Sequence, residues 1–277
     1  MSEEFHYRIP WRSSSAHPGL HRSSQSGSEQ EFQGHALLMS HPEPHNIDIH
    51  ASLHDPFGQF VVRTYRQRGI INVNLIADLS ASMGFHNKMQ VLADLTAATA
   101  FSSYRSGDHF GFYGCDEQLR EDFHLPNHWY KGGTPELAAQ LRYFEPTGKH
   151  CFAIDRTLDF LPRQKSLTFL VSDFHFQISE IVRIMDNLSA HDVIPIVLWQ
   201  YQEYENLPQW GLIRFLDPET RRSRNMLMRP ALKAKIIDSF VRRKTRLTHL
   251  FMQYGRQPFF ICDKFKADHL TRYFYEQ

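Results

Sequence analysis

Cysteine is scarce. Cys115, Cys151 and Cys262 are odd in number and far apart in 277 residues, and no C-x-x-C pair occurs. A disulfide framework and a thiolate zinc knuckle are therefore not expected; reduced thiols are. An excess of one charge is also missing, with 31 Lys and Arg against 30 Asp and Glu and a formal net charge of +1. Nothing in that balance pulls the chain toward nucleic acid or an anionic surface. No apolar run approaches the roughly 18–20 residues of a membrane helix. The opening Met1-Ser2-Glu3-Glu4-Phe5-His6 lacks the charged-then-apolar order of a secretion signal. Together these absences predict a cytoplasmic protein with no membrane insertion and no nucleic-acid partner. Enzyme signatures are absent too: no glycine-rich phosphate loop closed by Lys-Ser/Thr, no G-x-S-x-G elbow and no H-E-x-x-H. A non-catalytic chain is expected.

What is present is a patterned core: 42% of residues are hydrophobic. Residues 1–34 stand apart, broken by Ser13-Ser14-Ser15, Ser23-Ser24 and Ser26-Gly27-Ser28. Such a stretch buries too little to offset its ordering entropy, so a mobile Ser/His-rich arm is expected there. A small β-rich collar is expected over 35–70, and one large domain over 71–277. Strands are predicted near 59–66, 71–77, 109–114, 166–171, 193–199, 213–216 and 258–261, with an edge strand or hairpin over 117–125. Helices are predicted near 87–104, 135–144, 153–161, 178–189, 230–254 and 266–274. Buried strands alternating with helices imply an α/β fold: a mostly parallel, Rossmann-like sheet covered by helices on both faces.

The chemistry concentrates at strand ends. Asp78-Leu79-Ser80-Ala81-Ser82 follows the apolar run 70–77 and offers one carboxylate and two hydroxyls on a single loop. Ser172-Asp173-Phe174 follows the strand 166–171. Loops at the carboxyl ends of parallel strands face the ligand crevice of an α/β sheet. Oxygen donors of this kind suit Mg²⁺, with Mn²⁺ or Ca²⁺ as alternatives. Each loop alone is also a plausible helix cap, because Ser and Asp cap helix N-termini well. Carboxylates and hydroxyls around Mg²⁺ leave a hydrolase of phosphatase type as the alternative reading, although no nucleophile with its own base is visible.

The D-x-S-x-S spacing resembles the metal-ion-dependent adhesion site of von Willebrand factor A domains. A narrower resemblance covers about His35 to the C-terminus. It rests on Ile47-Asp48-Ile49-His50-Ala51-Ser52, Val62-Arg63-Thr64-Tyr65, Ala81-Ser82-Met83, Lys88, Gly107-Asp108, Ser172-Asp173-Phe174 and Leu216-Asp217-Pro218-Glu219-Thr220. These look like the bacterial domain-of-unknown-function family 58, a von Willebrand A-like branch. The chain departs from that pattern at Ile49-His50, where the family's tryptophan falls, and at Leu53-His54, so it looks like a divergent member. The resemblance implies an adhesion site of Asp78, Ser80, Ser82, a threonine and Asp173, binding a partner protein through its metal. Two threonines compete. Thr134 follows two glycines, whereas Thr147 opens the helix leading into the Asp173 strand. The resemblance further implies a partner, a MoxR-type AAA+ ATPase, and a client protein matured with it.

Other constellations have blander readings. Eight of the 17 histidines fall within the first 54 residues, with His41, His45, His50 and His54 closely spaced. Without a cysteine partner they are expected to be solvated or hydrogen-bonded side chains, not zinc ligands. Arg221-Arg222-Ser223-Arg224 and Arg242-Arg243-Lys244-Thr245-Arg246 are read as solvated or docking surfaces.

Overall fold

The computed structural model describes residues 3–15, 17–148, 154–216 and 223–276. His150, Cys151, Arg221, Arg222 and the motif residues 217–220 lie outside these. The chain forms two compact units.

The smaller unit takes in residues 9–71 and 106–108. Its strands β1 (Pro18–Leu37) and β2 (Val61–Gly69) pair antiparallel, with several register shifts along β1. A short helix, α1 (Ile49–Leu53), sits between them in sequence, and the Asp48 carboxylate caps it by accepting the Ala51 N–H at 3.1 Å. The same carboxylate receives Arg63 Nε at 2.8 Å and pairs with His35 Nε2 at 3.0 Å. Arg63, then Ala51 and His35, hold its pKa well below the usual carboxylate range. The motif residues Asp48 and Arg63, distant in sequence, thus meet in one structural pair.

This unit corrects the expected arm. Residues before 35 contribute to the strand β1, and Ser13, Ser23 and Ser24 make hydrogen bonds there. Ser13 and Ser23 are buried, and Ser13 Oγ donates to the Ile70 carbonyl at 2.6 Å. Backbone pairing with β2 and hydroxyl bonds order the segment, so it needs few apolar side chains and leaves no apolar periodicity to read.

The larger unit holds residues 3–8, 72–105 and 109–276 as far as they are described. In chain order its elements are β3 (Asn72–Asp78), α2 (Lys88–Ser106), β4 (His109–Cys115), β5 (Leu119–His128), α3 (Pro135–Tyr143) and α4 (Ile154–Thr157). Then come β6 (Leu167–Ser172), α5 (Ile178–Asn187), β7 (Asp192–Trp199), α6 (Tyr201–Tyr204), β8 (Gly211–Leu216), β9 (Ser223–Met228), α7 (Pro230–Gln253), β10 (Phe259–Cys262) and α8 (Ala267–Tyr275). Gly107, at φ +74°, ends α2 in the left-handed conformation that favours glycine. Six strands form one sheet in the order β10-β7-β6-β3-β4-β5, all parallel except the edge strand β5. The predicted strand near 213–216 does not join it. It pairs instead with β9 in a separate two-stranded hairpin.

Helices cover both faces of the sheet. Phe169 meets Phe5 and Phe274 of α8 edge-on, at 6.1 and 6.2 Å between ring centres. The next residue, Leu170, points the other way into a cluster with Ile181 and Ile184 of α5 and Leu247 and Phe251 of α7. Each such aromatic contributes about 2–3 kcal/mol by leaving water. From β3 the chain moves outward to β4 and β5, then returns to β6 on the other flank of β3. The strand order therefore reverses between β3 and β6, and a crevice opens at such a switch point beyond the strands' carboxyl ends.

Candidate functional site

Asp78 is the last residue of β3 and is buried. Its two carboxylate oxygens are fixed from different elements. One accepts the Ser80 N–H at 2.8 Å, and the other accepts the Ser172 hydroxyl from the end of β6 at 2.7 Å. A 3-10 turn over Ala81–Gly84 then brings the Ser80 and Ser82 hydroxyls to 3.1 Å from each other. The two hydroxyls share a hydrogen bond, and their spacing is also close to the roughly 3.0 Å between neighbouring ligands of an octahedral cation with bonds near 2.1 Å.

Asp173 is buried beside this loop. Its backbone is pinned on both sides. Trp199 Nε1 donates to the Asp173 carbonyl at 2.9 Å, and the Phe174 N–H donates to Ser172 Oγ at 3.0 Å. Phe174 is buried with φ +51°, a left-handed conformation that costs a bulky residue of order 1–3 kcal/mol. Arg243 of α7 holds this turn by donating to the Phe174 carbonyl at 2.6 Å and to the Phe176 carbonyl. Arg243 is thus no solvated surface charge, contrary to expectation. Trp199 belongs to the core and is 2% exposed.

Three further titratable groups complete the site: Lys88, present in the family motif without an assigned role, and His175 and Glu203, which the sequence did not single out. Lys88, the first residue of α2, is 1% exposed. Its ammonium lies 2.9 Å from Asp173 Oδ2, 2.6 Å from Glu203 Oε1 and 3.4 Å from the Ser82 carbonyl. His175 Nε2 lies 3.9 Å from the same Glu203 oxygen. Asp173, His175 and Glu203 bring ligand atoms within 4.8 Å of one another, but their cluster already encloses the Lys88 cation. Burial and the neighbouring Asp173 push Asp78 above the usual carboxylate range, against its hydrogen bonds from Ser172 and Ser80. Burial presses on Asp173 in the same sense. There Lys88, His175 and the hydrogen bonds from Lys88 and Ser82 prevail and hold it down at about 2. Lys88 itself is raised: burial works against its charge, and Asp173 and Glu203 outweigh burial.

The two candidate threonines separate. Gly148 pairs with Ser80, and its carbonyl accepts the Ala81 N–H at 2.8 Å, so the 145–148 loop lies against the D-x-S-x-S loop. Thr147 lines the same cleft as Ser82 and Asp173. Thr134 stands at the start of α3, buried, its hydroxyl without a hydrogen-bond partner, and it does not line that cleft. The cleft encloses about 1420 Å³, with Phe85, Phe144, Phe176 and Phe215 on its walls. That exceeds the roughly 300–1,000 Å³ of a small-molecule pocket.

A family model described as "Protein of unknown function DUF58" matches residues 56–246. The chain belongs to this family. Among curated proteins it is similar to an "Uncharacterized protein in moxR 3'region" of Paracoccus denitrificans. The two are 28% identical over 98 residues, which is 35% of this chain and 93% of that relative. Among solved structures it is similar to the conserved hypothetical protein BatB from Bacteroides thetaiotaomicron, at 10% identity and a TM-score of 0.40, covering 74% of this chain and 98% of that one. It is also similar to an aerotolerance-related membrane protein from Bacteroides fragilis NCTC 9343, at 12% identity and a TM-score of 0.39, covering 75% and 100%. The expected cytoplasmic location does not stand beside a structural relative named as a membrane protein, and no compartment is assigned to this DUF58 chain. Among the described residues no helix is long and apolar enough to cross a membrane.

Proposed function

We propose that this DUF58 chain is a von Willebrand A-like, non-catalytic protein-binding module with a metal-ion-dependent adhesion site. Asp78, Ser80, Ser82 and Asp173, with Thr147 from the adjoining loop, would hold Mg²⁺, or Mn²⁺ or Ca²⁺ in its place. The observation that carries this reading is the Ser80–Ser82 hydroxyl pair, 3.1 Å apart beside the buried Asp78, at the switch point of a parallel sheet. A cation held there would offer coordination to a carboxylate from another protein. The chain's own groups fix the carboxylates that would hold it: Ser172 and the Ser80 N–H fix Asp78, and Lys88 and Trp199 fix Asp173. A cleft larger than a small-molecule pocket suits a protein segment. The relative named for its place beside moxR supports a MoxR-type AAA+ ATPase as partner, with the pair acting on a client protein.

The test is capture of the MoxR-type ATPase of the same organism by the purified chain. We expect capture in Mg²⁺ and none in EDTA. The variants Asp78→Ala and Asp78→Asn should fail to capture while keeping the wild-type circular dichroism spectrum. Undiminished capture by a folded Asp78→Ala chain would overturn the reading.

A further inference from the structure

Lys88 is placed against its own electrostatics. It is buried at the N-terminus of α2, the end of a helix that disfavours positive charge. Two carboxylates must be buried with it. Replacing such a buried ion network by apolar side chains is commonly neutral or stabilising, so fold stability does not explain it. Its position does suggest a use. Asp173 and Glu203 are the charges an alkaline-earth or first-row transition dication would seek, and the Lys88 ammonium lies within hydrogen-bond distance of both. The Ser82 carbonyl, on the hydroxyl loop itself, is its third neighbour.

We propose that Lys88 is a tethered cation that fills the acidic half of the site and thereby limits its affinity for a divalent ion. This rests on the adhesion-site reading given above. In the wild-type chain the Asp173 and Glu203 charges are already matched, and an arriving dication meets a fixed positive charge beside the Ser80–Ser82 pair. Asp173 and Glu203 stay in position whether or not a metal is bound, so the crevice is assembled in advance. Metal binding by the chain alone is then weakened but not abolished, and a further carboxylate brought by a partner protein strengthens it. Lys88 is in this sense a positioning and affinity-setting residue that leaves the metal to the oxygen ligands.

The experiment compares wild type, Lys88→Met and the double variant Lys88→Met/Glu203→Gln, each as the full chain. Mn²⁺ is the probe, read by calorimetry and by thermal melts in EDTA or Mn²⁺. Lys88→Met should bind Mn²⁺ at least tenfold more tightly than wild type. It should melt lower in EDTA and recover in Mn²⁺, and if it is unfolded without metal, Mn²⁺ should restore its fold. The double variant, with one carboxylate removed along with the ammonium, should fold in EDTA and lose the gain in affinity. Equal affinities in wild type and Lys88→Met, or no recovery in Mn²⁺, would overturn the proposal while leaving metal binding by the wild type intact. Binding by Lys88→Met with none by wild type would support the tethered cation and count against the adhesion-site reading.

Discussion

Replacing Asp173 by Asn should make the chain's acid response diagnostic. The substitution keeps the shape of the side chain and removes its charge. Holding the carboxyl at about 2 against an ordinary 3.8 favours the ionised native state by about 2–3 kcal/mol at neutral pH. Asp173 is 2% exposed, so solvent does little to screen this. A folded-state pKa below the unfolded one gives stability that is complete above about pH 4 and lost as pH falls through about 2. Asp78 works in the opposite sense. Its raised pKa gives stability that is present in acid and lost as pH rises, and removing Asp173 relieves it. The net cost of Asp173→Asn at pH 7 should therefore be about 2 kcal/mol, below the ~3–5 typical of breaking a buried ion pair. Urea unfolding in EDTA, followed by circular dichroism at pH 7, 5 and 3, measures it. The difference from wild type should be full at pH 7 and 5 and shrink at pH 3. A difference unchanged at pH 3, or absent at pH 7, would refute the assignment of Asp173 as the ion-paired carboxylate.

Two further outcomes follow from the loops around it. Ser172→Ala removes the hydroxyl that donates to Asp78 at 2.7 Å and accepts from the Phe174 N–H at 3.0 Å, both buried. It should cost about 2–3 kcal/mol in urea unfolding, and a cost below 0.5 would contradict the geometry. Gly148→Ala would set a Cβ 2.6 Å from Asp116 Cβ and 2.9 Å from its carboxylate. The loop or Asp116 must shift, so stability should fall by about 1–3 kcal/mol and Mn²⁺ binding should weaken in calorimetry. Unchanged metal binding would separate the 145–148 loop from the site.

Much of the sheet was legible because its strands are buried on both faces. Leu167–Ser172 and Asp192–Trp199 are buried at every position, which leaves unbroken apolar runs in the sequence. The convergence of Asp78 and Asp173 was legible for the same reason, since each ends such a run and the runs are sheet neighbours. The burial of Lys88 and the part played by Glu203 were not. A lysine at a helix start and a glutamate in a polar segment are surface residues by default, and only the fold shows them closing on Asp173. The strand β1 escaped because its order comes from backbone pairing and serine hydroxyls, which leave no alternation of apolar side chains. Thr147, which the order of the loops favoured, lines the cleft, and Thr134, which its glycines favoured, does not. Arg243 looked like one charge in a basic run, and its carbonyl partners lie 67 and 69 residues away in sequence.

The central claim is that the crevice binds a divalent cation through Asp78. Calorimetric titration of Mg²⁺ and Mn²⁺ into the purified chain, beside Asp78→Ala, tests it most directly. Saturable binding is expected in the wild type and should disappear in the variant. Equal binding in both, or capture of the ATPase by a chain that binds neither ion, would contradict it.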